Sequence, residues 1–91
     1  MTWHVIRFLP SARRHKISEE RIAYVVDTCP MPQCLVDPEP GEEDVLLFLA
    51  PDRNGVPLEV LAIEVADQGL VVFHAMKVVR RNMEMYEEVM R

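Results

Sequence analysis

Glycine is scarce in this 91-residue chain: Gly41, Gly55 and Gly69 each fall in a separate turn. A phosphate-cradling loop needs its glycines within a few positions of one another, so none can be built here. Cysteine is scarcer still. Cys29 and Cys34 make no disulfide framework, and one pair without two further ligands is a poor zinc site. They read as small loop side chains of a reduced, cytoplasmic protein, and no metal or other cofactor is expected. Long apolar runs are missing too. The longest, Val45 to Ala50, is strand-sized and far below the ~20 residues that a bilayer span needs. Met1 to Arg7 mixes polar and apolar residues with no signal-peptide pattern, so a cytoplasmic location without membrane contact is expected. Ser11, Ser18 and the threonines lie in no nucleophile elbow, and no helix-turn-helix signature appears.

What is present suits one small domain spanning residues 1–91. The hydrophobic fraction of 49% is ordinary for a globular chain and too high for disorder. A chain of this length buries only about 60–65% of its unfolded surface, so a partner or a homodimer would add stability. The net charge of −5 is unevenly spread. Met1 to Arg21 carries +3, Ile22 to Phe73 carries −9 and His74 to Arg91 carries +1. If the two ends meet in space, they form a basic surface that the total conceals.

The pattern along the chain predicts an α+β fold: helical segments near the N-terminus, an antiparallel meander of three to four strands, and a C-terminal helix. Thr2 to Phe8 suits a short edge strand. Ser11 to Lys16 is short, basic and polar, with Pro10 suited to a first helical turn. Ser18 is a good N-cap with Glu19 and Glu20 in the first turn, which predicts a helix over 18–28. Gln33 to Val36, Val45 to Ala50, Pro57 to Val65 and Leu70 to His74 read as strands, with turns at Asp37 to Glu43, Asp52 to Gly55 and Asp67 to Gly69. Short connections make them antiparallel neighbours. Both faces of the Pro57–Val65 strand are apolar, so helices or another chain must cover each side. Ala75 to Arg91 is expected to be the final helix, with Val79, Met83, Tyr86 and Met90 as its packed stripe.

That helix is charged against its own dipole. Lys77, Arg80 and Arg81 lie in its expected first turns and Glu84, Glu87 and Glu88 near its end, an arrangement that costs about 0.3–1 kcal/mol per charge. Two accounts remain open: a solvated face with salt bridges, or three cations and backbone N–H groups gathered to hold a phosphate. His74 precedes this helix, and His15 lies in the basic Arg13-Arg14-His15-Lys16 stretch. Either could serve as a general acid or base beside a phosphate, although most lone histidines are structural or merely exposed. The Glu42-Glu43-Asp44 run is better read as a solvated turn than as a hard-cation site.

Two stretches carry a family resemblance. The first is Arg14-His15-Lys16-Ile17-Ser18-Glu19-Glu20. The second is Ala75-Met76-Lys77-Val78-Val79-Arg80-Arg81, followed by Tyr86-Glu87-Glu88. Together they resemble the BrnT-type toxins, small members of the RelE/ParE toxin superfamily, and the likeness loosely covers Pro10 to Val89. Lys16 stands where that family usually has glycine, and Met76 where an arginine is common. The resemblance implies a RelE-like domain that is the toxin of a bacterial type II toxin–antitoxin pair, a metal-independent endoribonuclease neutralised by a cognate antitoxin. RNA, free or on the ribosome, would be the substrate, and the assembly a homodimer or a toxin–antitoxin hetero-oligomer. His15 and His74 would then be the acid–base candidates. Lys77, Arg80 and Arg81 would hold the reacting phosphate, with Arg13 and Arg14 contributing to RNA binding. Tyr86 belongs to the packed stripe. A second reading is a non-catalytic protein-binding module on the same fold.

Overall fold

A computed structural model describes residues 4–36, 44–65 and 69–91. The expected turn at Asp37 to Glu43, with most of the acidic run, lies outside the described residues, as do Asp67 and Gln68. The chain runs β1 (His4–Phe8), a 3-10 helix (Pro10–Arg13), α1 (Glu19–Thr28), β2 (Gln33–Val36), β3 (Asp44–Pro51), β4 (Pro57–Val65), β5 (Gly69–Lys77) and α2 (Arg80–Met90). The five strands form one mixed sheet in the order β1-β5-β4-β3-β2. The expected antiparallel meander is β2 to β5. The first strand joins it in parallel, on the far side of β5.

Local chemistry accounts for the element ends. The Ser18 hydroxyl accepts the Arg21 N–H at 3.2 Å and caps α1, and Pro30 prevents its continuation. At the β3–β4 turn, Asp52 Oδ1 accepts the N–H groups of Asn54 at 2.8 Å and Val56 at 2.9 Å. Gly55 supplies the positive φ of 83° that this turn requires. Asp52 Oδ2 meets the Arg21 guanidinium at 2.9 Å through both Nε and Nη2, tying α1 to the turn.

One sheet face holds the core. Ile22, Val25 and Val26 of α1, with Ala12 and Ile17 before it, pack on Leu46, Phe48, Ala50, Leu58, Val60, Ala62, Leu70, Val72 and Ala75. On the opposite face Leu47 and Leu49 are buried, whereas Leu61, Ile63, Val65 and Val71 are half-covered. There α2 crosses β3. Helices thus lie on both sides of the doubly apolar sheet, unequally. None of the described helices is long and apolar enough to cross a membrane.

The final helix starts later than the sequence pattern predicts. Residues 75–77 extend β5, pairing with Val60, Glu59 and Leu58, and α2 begins only at Arg80. The nine-residue β4 offers ladder positions beyond the expected strand end at His74. Ala75 is wholly buried and completes the core, so those pairing positions are taken by sheet. Lys77 is therefore a strand residue, and the reversed charge at the start of α2 reduces to Arg80 and Arg81.

Candidate functional site

The partly covered face gathers polar groups at one end. Register places Glu59 opposite Leu49 and Met76, and Leu61 opposite Leu47 and His74, so these side chains share that face. A bulge at Phe73, between the Ala62–Val72 and Leu61–His74 pairs, keeps both Val72 and Ala75 in the core while sending His74 to the other side.

Glu59 is 5% exposed. A buried carboxylate needs full hydrogen bonding, and this one has it. Oε1 accepts the Val79 N–H at 3.1 Å and the Asn82 side-chain amide at 3.1 Å, and Oε2 lies 3.2 Å from His74 Nε2. The N-cap residue of α2, Val79, has no side-chain acceptor of its own. Glu59 therefore caps the helix from the neighbouring strand, placing a negative charge where the dipole favours it. The anion at the α2 N-terminus is the chain's own carboxylate, and Arg81 lines the same groove.

His74 also meets His15. The ring centroids are 5.7 Å apart with planes at 73°, an edge-to-face contact. His15 reaches β5 because its loop is pinned along the strand edge. The Leu9 N–H bonds the Val72 carbonyl at 2.9 Å, and the Ser11 hydroxyl donates to the Phe73 carbonyl at 2.6 Å. These contacts take over where β1 ends its pairing at Val72. Lys16 then turns the chain with a φ of 59°, the one positive φ among the described non-glycine residues. The backbone there has the conformation that glycine adopts most readily.

Beside His74 runs a groove of about 300 Å³. Leu47, Leu61, Met76 and Met85 form its apolar walls, and Arg81 and Asn82 stand with Glu59 and His74 at its polar end. Of the candidate cations only Arg81 lines this groove. Lys77 and Arg80 are exposed, and among the described residues none of these three is in an ion pair. Arg13 is engaged by Glu19, and Arg14 is exposed. The structure thus brings His15 against His74 and places His74 in one groove with Arg81, and it leaves Arg13 committed elsewhere.

Other polar features are structural. Arg53 stacks 4.5 Å over the Tyr24 ring and reaches Glu20 at 3.8 Å, beside the Arg21–Asp52 pair. The Val56 N–H foremost, then Asn54 and Arg21, hold the Asp52 carboxyl below the usual aspartate range despite its burial. Burial pushes the Cys29 thiol up, away from reactive thiolate character, and Cys29 and Cys34 form no disulfide. Tyr86 is half-buried, and desolvation pushes its hydroxyl up. Among the described residues no three His, Cys, Asp or Glu side chains cluster with metal-ligand geometry.

Sequence reasoning passed over Glu59 and Asn82. The signal available for Glu59 was its place between Leu58 and Val60, in a strand apolar on both faces, where any charge must be internally paired. Compared with known protein families, curated proteins and solved structures, the chain finds no match.

Proposed function

We propose that this chain is the toxin of a toxin–antitoxin pair and acts as a metal-independent endoribonuclease. The observation that supports this most is the edge contact of His15 with His74 at a groove whose polar end also holds Arg81. RNA can be cut without a metal when two proton-transfer groups flank one phosphate. One imidazole takes the proton of a ribose 2′-OH as the 2′-oxygen bonds to phosphorus. The P–O5′ bond breaks, and the second imidazole delivers its proton to the departing 5′-oxygen. The products are a 2′,3′-cyclic phosphate and a 5′-hydroxyl. Arg81 stabilises the charge that develops on the phosphoryl oxygens, and exposed Lys77, Arg80 and Arg14 attract the flanking phosphates. The walls formed by Leu61 and Met76 offer an apolar surface to a base or ribose.

The binding-module reading has one observation in its favour. Glu59 already occupies the Val79 N–H, so that donor is not open to a phosphate at α2. One experiment separates the two. The purified chain is incubated with single-stranded RNA in the presence of a chelator, and the fragment ends are analysed. Cleavage with cyclic-phosphate ends, reduced roughly 10²–10⁴-fold in folded H15A and in folded H74A, supports the ribonuclease. An intact substrate, together with unimpaired bacterial growth while soluble, folded chain accumulates, rejects it in favour of the module.

A further inference from the structure

We infer that Glu59 is the positioning residue of this site: its carboxylate holds His74 as the Nε2–H tautomer and so makes Nδ1 the nitrogen that takes the 2′-OH proton. The assignment of that proton rests on the ribonuclease reading; the tautomer does not. An ionised carboxylate only accepts hydrogen bonds, so the His74 nitrogen 3.2 Å from Oε2 carries a hydrogen. In a neutral imidazole the lone pair is then on Nδ1. The carboxylate cannot turn away, because its other oxygen is held by the Val79 N–H and the Asn82 amide, both at 3.1 Å. Helix α2 thereby locks Glu59, and Glu59 locks the ring. As in other carboxylate–imidazole pairs, the carboxylate fixes the tautomer and the orientation of the ring. That makes His74 the base. His15 has no carboxylate partner among the described residues and is left to protonate the 5′-oxygen.

The same geometry dictates what Glu59→Gln does. Two donors, from Val79 and Asn82, converge on the Oε1 position, so the amide must place its oxygen there. Its NH2 group then faces His74 Nε2 and requires a lone pair on that nitrogen, which moves the ring proton to Nδ1.

The test is the nitrogen NMR signature of neutral His74 in the full-length 15N-labelled chain, followed by the same spectrum and the cleavage kinetics of E59Q. The wild type should show a protonated Nε2. Folded E59Q should show a protonated Nδ1 and a kcat lower by roughly 10²–10⁴-fold with KM little changed. A wild-type His74 protonated at Nδ1 overturns the proposal, as does a folded E59Q with the wild-type tautomer or undiminished kcat. Should E59Q fail to fold, the wild-type spectrum alone decides. Should the wild type cleave no RNA, the ribonuclease reading fails, and the spectrum still decides whether Glu59 positions the ring.

Discussion

The two faces of the sheet are held by different physics. On the α1 face, Ile22, Val25 and Val26 are essentially without solvent contact, and the helix has its own cap in Ser18. On the other face, α2 has no buried residue and no side-chain cap of its own. Its stripe, Val79, Met83, Tyr86 and Met90, is only half-covered. What secures its start is Glu59, reaching across from β4. The first face is a close-packed core, in which every methylene counts. The second is a lightly packed cover over a groove, held by directional bonds, and it carries His74 and Arg81 with Glu59 and Asn82.

This contrast can be broken by experiment, most sharply in the core. Phe48→Ala should cost about 3–5 kcal/mol, a large share of the roughly 5–15 kcal/mol expected for a domain. Met85→Ala, at a residue 37% exposed on α2, should stay within about 0.5 kcal/mol. Denaturant titration of the two variants measures the difference. Equal losses would mean that α2 is as tightly built into the fold as α1.

The next largest effect concerns acid. The Asp52 carboxyl is held below its ordinary value of 3.8, so its contribution is present above that pH and is lost as pH falls through the lower, folded value. Asp52→Asn keeps an oxygen for the turn and removes the charge that Arg21 pairs with. Its melting temperature should lie below that of the wild type at pH 6, and the gap should shrink below the ordinary value. A gap that stays constant down to pH 2 would show that the charge contributes nothing to folding.

The smallest effect tests the loop that delivers His15. Lys16 is in the left-handed region, which costs a side-chain-bearing residue about 1–2 kcal/mol. Lys16→Gly relieves that strain but frees the unfolded chain by about 0.4–1 kcal/mol. The net expectation is a gain between zero and about 1.6 kcal/mol, read from chemical denaturation. A loss would mean that the lysine side chain contributes to the fold.

The sequence made local features legible and long-range ones obscure. The bounds of β2 and β4, the Ser18 cap and the Asp52–Gly55 turn each depend on residues within a few positions, and each was readable. The start of α2 was not. Residues 75–79 are mostly apolar, so they satisfy a strand and a helix alike, and only the ladder with β4 decides between them. The parallel pairing of β1 with β5 leaves no local trace. The same holds at the site. His15 and His74 could be named as candidates from their basic surroundings, but their contact depends on a loop pinned to a distant strand and on a bulge at Phe73. Glu59 was hidden because all its partners are remote in sequence.

The parallel neighbours β1 and β5 impose an order on biosynthesis. As the chain grows, β1 has nothing to pair with until Gly69 to Val72 follow, about 65 residues later. At about 5–20 residues per second, that is a wait of several seconds. Closing such a long loop comes late because its entropy must be lost before the contact is gained. The same closure brings the His15 loop to the β5 edge. The His15 loop is therefore made well before β5 exists to receive it, and the histidine pair can form only once His74 has been added.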